Sequence, residues 1–140
     1  MIVYHAVIDT NVLVSAMLRD SSVPRTIIDC IEGGIVIPVY NESIIQEYRE
    51  VLSRKKFRFN VEAIDAILNV IIGKGMLYEG IPTQEDLPDK KDVVFYEVTM
   101  DSRQYQETRL VTGNIKHFPP KSFVVTPREM LDIIINNLSD

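Results

Sequence analysis

Three carboxylates carry the chemistry this sequence offers. Asp9 ends an apolar run, Ile2 to Ile8, Glu47 lies in a helical stretch after Asn41, and Asp92 heads a helical stretch after a polar loop. Acids from separate segments, at least one on a sheet edge, suit a hard cation with oxygen ligands, Mg²⁺ or Mn²⁺, whereas zinc favours histidine or cysteine. Asp89, three residues before Asp92, is a competing ligand. Of the two histidines, His5 falls inside the first strand and His117 in a loop, so no histidine-rich site is expected. The single cysteine, Cys30, excludes an internal disulfide or a Cys-based zinc site and reads as a small buried thiol. No Walker phosphate loop, dinucleotide glycine fingerprint or nucleophile elbow is present.

Each acid also has a plainer reading. Asp9 and Asp92 fit helix N-caps, as does Asn11, and Asn114 fits a turn residue beside Gly113. Glu47 fits a surface glutamate in an i,i+4 ladder. At 100° per residue, however, it falls about 100° from the centre of its helix's apolar stripe, on the shoulder of the buried face, while Glu50 points to solvent.

The elements that would position these residues alternate between strand and helix. Ile2 to Ile8 suits a strand buried on both faces. Helices are expected from Thr10 to Leu18, from Pro24 to Gly33-Gly34, from Asn41 (as cap) to about Arg54, from about Val61 to Ile72 and from Asp92 to about Met100. Short strands are expected at Ile35–Pro38, Met76–Glu79, Leu110–Thr112 and Phe123–Val125. Gly80–Lys91 reads as a loop, and Met100 to Arg109 as an extended helix end and loop without an assigned function. The last helix has Thr126 as cap, Pro127 first and Glu129 closing a capping box. This order predicts a single α/β domain over residues 1–140 with a mainly parallel sheet, whose ligands bind beyond the carboxyl ends of the strands. There Asp9, Thr10 and Asn11 follow one strand, and Thr112, Gly113 and Asn114 end another.

With 140 residues the chain is one domain on a prior of ~150 per domain. Its 46% apolar and 25% charged content excludes disorder, and a net charge of −5 argues against a general nucleic-acid coat protein. No run of ~18 apolar residues and no charged leader occurs, so a cytoplasmic protein without a membrane span is expected.

Four segments, in order, resemble PIN-domain ribonucleases. Val7-Ile8-Asp9-Thr10-Asn11-Val12-Leu13-Val14-Ser15 is similar to their opening strand and turn, and Ser43–Leu52 to the helix with the second acid. Asp89-Lys90-Lys91-Asp92 is similar to the third-acid region, and Leu110-Val111-Thr112-Gly113-Asn114 with Lys116-His117-Phe118-Pro119 to the late strand and its turn. The similarity runs from Ile2 to about Leu131, and the subgroup it most resembles is the toxin components of toxin–antitoxin pairs, related to VapC-type toxins. The resemblance implies a small α/β/α sandwich, Asp9, Glu47 and Asp92 as metal-binding catalytic acids, and Thr10, Asn11 and Thr112 as polar support. It further implies RNA phosphodiester cleavage by a metal-activated water, homodimerisation and a small antitoxin partner. Many members carry a fourth acid where this chain has Asn114, whose amide can orient a water or a phosphate but adds no charge.

For the RNA backbone, Arg54, Lys55, Lys56 and Arg58 form the best basic patch, with Lys116, His117 and Lys121 near the expected cleft. The first cluster fits equally a solvated helix end whose cations complement the dipole. Two rival readings remain: a PIN-fold RNA- or protein-binding module that does not cut, and a phosphatase with Asp9 as nucleophile. The second is weakened because such enzymes usually carry an Asp two residues on, where this chain has Asn11.

Overall fold

The computed structural model describes residues 2–138. Five strands, β1 (Tyr4–Ile8), β2 (Val36–Tyr40), β3 (Met76–Leu77), β4 (Thr108–Val111) and β5 (Val124–Val125), form one all-parallel sheet in the order β3-β2-β1-β4-β5. Six helices accompany them: α1 (Thr10–Leu18), α2 (Val23–Glu32), α3 (Glu42–Leu52), α4 (Val61–Lys74), α5 (Val93–Ser102) and α6 (Pro127–Asn136). Ala6, Val7 and Ile8 are consecutive and wholly buried, as a central strand covered on both faces requires. Helix α5 lies against β1, β2 and β4, while α2 packs on β2 with α1, α4 and α6 around it.

The strand order reverses at β1: the chain goes outward to β2 and β3 on one side, then to β4 and β5 on the other. The crevice beyond the carboxyl ends of β1 and β4 is therefore the topological switch point, where a parallel sheet leaves room for a ligand. Ile8 pairs with Val111, so Asp9 and Thr112 leave the sheet side by side.

Helix starts are set by side chains. Ser22 accepts from Arg25 N, Asn41 from Ile44 N and Asn60 from Ala63 N, each serving one of the unpaired N–H groups of a first turn. Thr126 and Glu129 close the expected capping box on α6.

Several boundaries differ from the sequence reading. Strand β1 starts at Tyr4, leaving Ile2 and Val3 exposed. Strand β2 runs through Pro38 to Tyr40; proline is tolerated there because β3 pairs only with Val39 and Tyr40. Helix α4 continues to Lys74, and Gly75 then lets the chain pass close to β2: a Cβ there would lie 2.5 Å from the carbonyl oxygens of Ile71 and Pro38. The 103–107 turn between α5 and β4 is short and tied by polar contacts. Ser102 Oγ lies 2.5 Å from Thr108 Oγ1, and Arg103 Nη1 donates to Thr108 O at 2.7 Å. Cys30 is half-buried rather than enclosed.

Candidate active site

Asp9 occupies the N-cap position of α1, yet its side chain makes no capping bond. Its Oδ2 instead accepts from Thr112 Oγ1 at 2.7 Å and from Asn11 Nδ2 at 3.3 Å. Asn11 Oδ1 in turn accepts from Gly113 N at 3.1 Å, so the residue braces the two strand ends against each other. Asp92 likewise sits at the N-cap of α5 with no capping bond; the cap in this segment is that of the 3₁₀ turn Lys90–Asp92 leading into α5, where Asp89 accepts from Lys91 N. Two of the three acids are thus released from the local role that sequence alone allowed them.

Glu47 is half-buried on α3, as its helical phase implies, and Glu50 is exposed. Its Oε2 accepts from Thr10 Oγ1 at 2.5 Å. Next to it Tyr48 is buried against the sheet, its hydroxyl bonded to the Ile8 carbonyl, which anchors α3 directly behind Asp9.

Asp9, Glu47 and Asp92 all face one open cleft of about 640 Å³, with Thr10, Asn11, Asp89, Asn114 and Arg54 also on its walls. Thr112 lies fully buried beneath it. Lys55 and Lys56 are exposed on the turn after α3. Arg58 lines a different hollow of about 440 Å³, walled by α1, α2 and α4, and Lys116 a third beside Pro119 and Val124. Of the lysine and arginine candidates Arg54 alone reaches the acidic cleft, where it pairs with Glu50 at 3.3 Å, and His117 lines the same cleft.

The electrostatics are those of acids held close without compensation. Burial raises the Asp9 carboxyl to about 6, and the negative charge of Asp92 adds to the rise against the lowering effect of the Thr112 bond. Burial also raises Glu47 and Asp92; Asp9 adds to the first, Asp89 and Glu47 to the second. Asp92 Oδ2 is buried with no hydrogen-bond partner: His117 Nδ1 lies 3.3 Å away but off the alignment a hydrogen bond needs. An unpartnered buried carboxylate oxygen beside a second carboxyl forced towards neutrality is a place where a cation is favourable.

Among the described residues no three acidic, histidine or cysteine side chains stand close enough to grip one ion directly. Glu47 is turned to Thr10 and Asp92 towards His117. The donor set still fits Mg²⁺ or Mn²⁺, because Mg²⁺ keeps several waters and takes only one or two carboxylates directly.

A PIN domain family profile matches residues 5–116. The chain belongs to the PIN domain family. PIN domains are generally nucleases that use divalent metals, and the matched stretch spans all three acids. No curated protein and no solved structure matches the chain.

In this PIN domain two further residues line the cleft beside the acids. His117, which the sequence offers as a basic group for the RNA backbone, lines it, and its Nε2 lies 2.9 Å from Asn114 Nδ2; three residues apart in a 3₁₀ turn they stack, a spacing visible in the sequence. Lys91 lies on the cleft wall and counters the rise at Glu47, a placement that depends on how the 80–91 loop returns to α5. No helix among the described residues is long and apolar enough to cross a membrane.

Proposed function

We propose that the protein is a divalent-metal-dependent endoribonuclease that hydrolyses RNA phosphodiester bonds in the cleft beyond β1 and β4. The observation that carries the reading is the meeting of Asp9, Glu47 and Asp92, far apart in the chain, in one cleft at the switch point of the sheet. Asp9 and Asp92 would hold the ion, with Glu47 as third acid and Asp89 on the rim. A bound Mg²⁺ or Mn²⁺ supplies positive charge against the phosphate and makes a neighbouring water more acidic. Thr112 and Asn11 hold the Asp9 carboxylate towards the cleft, Thr10 parks Glu47, and the amide of Asn114, on the cleft wall, would orient a water or a phosphate oxygen. Arg54 and Lys91 supply the basic groups facing the RNA backbone at the cleft, with His117 on the same wall, and Lys55, Lys56, Arg58 and Lys116 lie farther out.

The test is cleavage of a single-stranded RNA with Mg²⁺ or Mn²⁺ by the wild type, Asp9→Asn and Asp92→Asn. Each variant is expected to lose about 100-fold or more while keeping its fold, since charge stabilisation by an ion is worth several kcal/mol. Equal cleavage by all three proteins overturns the assignment.

The competing reading is a PIN-fold module that binds RNA or protein without cutting. The separation of the acids across the cleft and the amide at position 114 favour it. Calorimetric titration with Mn²⁺ separates the two, because a non-catalytic module has no need of the ion. The likeness of the motifs to VapC-type toxins supports a toxin role, a homodimer and inhibition by a small antitoxin. Growth arrest on expression of the wild type but not of Asp9→Asn tests that role, and equal growth contradicts it.

A further inference from the structure

A line of contacts joins Asp9 to Asp92 through the turn after β4. Thr112 Oγ1 donates to Asp9 Oδ2 at 2.7 Å and accepts from Asn114 N at 3.0 Å. Asn114 Nδ2 then meets His117 Nε2 at 2.9 Å, and His117 Nδ1 faces Asp92 Oδ2 at 3.3 Å. An amide nitrogen only donates, so in this arrangement Nε2 accepts and the ring proton sits on Nδ1, the nitrogen turned to the acid. Asp92 Oδ2 is buried and has no other donor. The turn from Gly113 to His117 thus does more than leave the sheet: it brings an imidazole, braced from behind, to the second acid.

We propose that His117 is the positioning residue of the cleft, its Nδ1–H holding the Asp92 carboxylate opposite Asp9 while Asn114 sets the tautomer and angle of the ring. The proposal rests on the metal-nuclease reading, since holding an ion is what the Asp92 carboxylate is fixed for. Two carboxylates that repel one another swing apart unless each is tied; Thr112 ties Asp9, and His117 is the group within reach of Asp92. A donor on one oxygen leaves the other free for a ligand, the arrangement by which hydrogen-bonded carboxylates hold metals. Hydrogen bonds of catalytic sites are often long or poorly aligned until the full complex forms.

The experiment measures Mn²⁺ affinity by calorimetry, and the Mn²⁺ dependence of single-stranded RNA cleavage, for the full chain and for H117A, H117Q, N114A and the H117A/N114A pair. Circular dichroism checks the fold of each. H117A is expected to bind Mn²⁺ about tenfold or more weakly, the usual effect of losing such a partner. H117Q, which keeps a donor and an acceptor, recovers most of the loss. N114A moves in the same direction by less, and the double variant matches H117A, because both residues act through one contact. Affinity of folded H117A within about twofold of the wild type, no rescue by glutamine, or losses that simply add, each overturns the positioning role. Wild type that takes up no Mn²⁺ overturns the nuclease reading itself, and the positioning role with it; wild type and H117A that bind and cut alike overturn the positioning role alone.

Discussion

At Asp9, burial works against charge. The carboxyl titrates near 3.8 in an unfolded chain and at about 6 in the fold, so the folded state favours its neutral form. The stability this group contributes is full below pH 3.8 and is lost as pH rises through about 6. Above that the metal-free protein has lost about 2–3 kcal/mol at this position, and the raised carboxyls of Glu47 and Asp92 act in the same direction. Asp9→Asn removes the charge, so in the absence of metal it should melt several degrees above the wild type at pH 8 and close to it at pH 4. Thermal melts with chelator across that range check this; a constant difference between the two proteins contradicts it. Saturating Mn²⁺ at pH 8 should raise the wild-type melting temperature and leave Asp9→Asn unmoved, because an ion that binds only the folded state stabilises it.

Among the elements, those whose ends are marked by side chains were legible in the sequence. Asn41, the Gly33-Gly34 pair and the Thr126-Pro127-Glu129 box announce α3, the end of α2 and the start of α6 through backbone groups that need partners. The edges of the sheet were less so. The pairing of β3 depends on how closely α4 returns to β2, which no local pattern encodes: Met76 and Leu77 are exposed, and only the space at Gly75 brings them alongside Val39 and Tyr40. Gly75→Ala should cost about 1–3 kcal/mol by overpacking, since the added carbon meets backbone oxygens that cannot swing away. Thr126→Ala should cost about 1 kcal/mol through the missing cap. Urea denaturation of both checks the ranking; a Gly75→Ala protein as stable as the wild type contradicts the close approach.

For the whole molecule, topology does what local sequence cannot. Asp9 and Thr112 are 103 positions apart and meet because β1 and β4 are neighbours in register, an outcome of strand order. Their polarity after apolar strands was visible; their pairing, and the line from Asn114 through His117 to Asp92, required the fold. The basic patch shows the opposite case. Arg54, Lys55, Lys56 and Arg58 fall within five consecutive residues, but the turn after α3 spreads them from the acidic cleft to the hollow between α2 and α4. If RNA leaves the cleft across this turn, replacing Lys55, Lys56 and Arg58 by alanine should lower the salt dependence of single-stranded RNA binding by about 2 in log–log slope, roughly 0.7 for each phosphate that a cation no longer neutralises. An unchanged slope assigns these cations to the solvated end of α3 instead.

The most direct measurement is the anomalous scattering of a Mn²⁺-soaked crystal. An ion is expected in the cleft beyond β1 and β4, with oxygens of Asp9 and Asp92 in its coordination or hydration shell and Glu47 facing it. A well-ordered cleft with no anomalous peak, under soaking that fully supports RNA cleavage, would contradict the account.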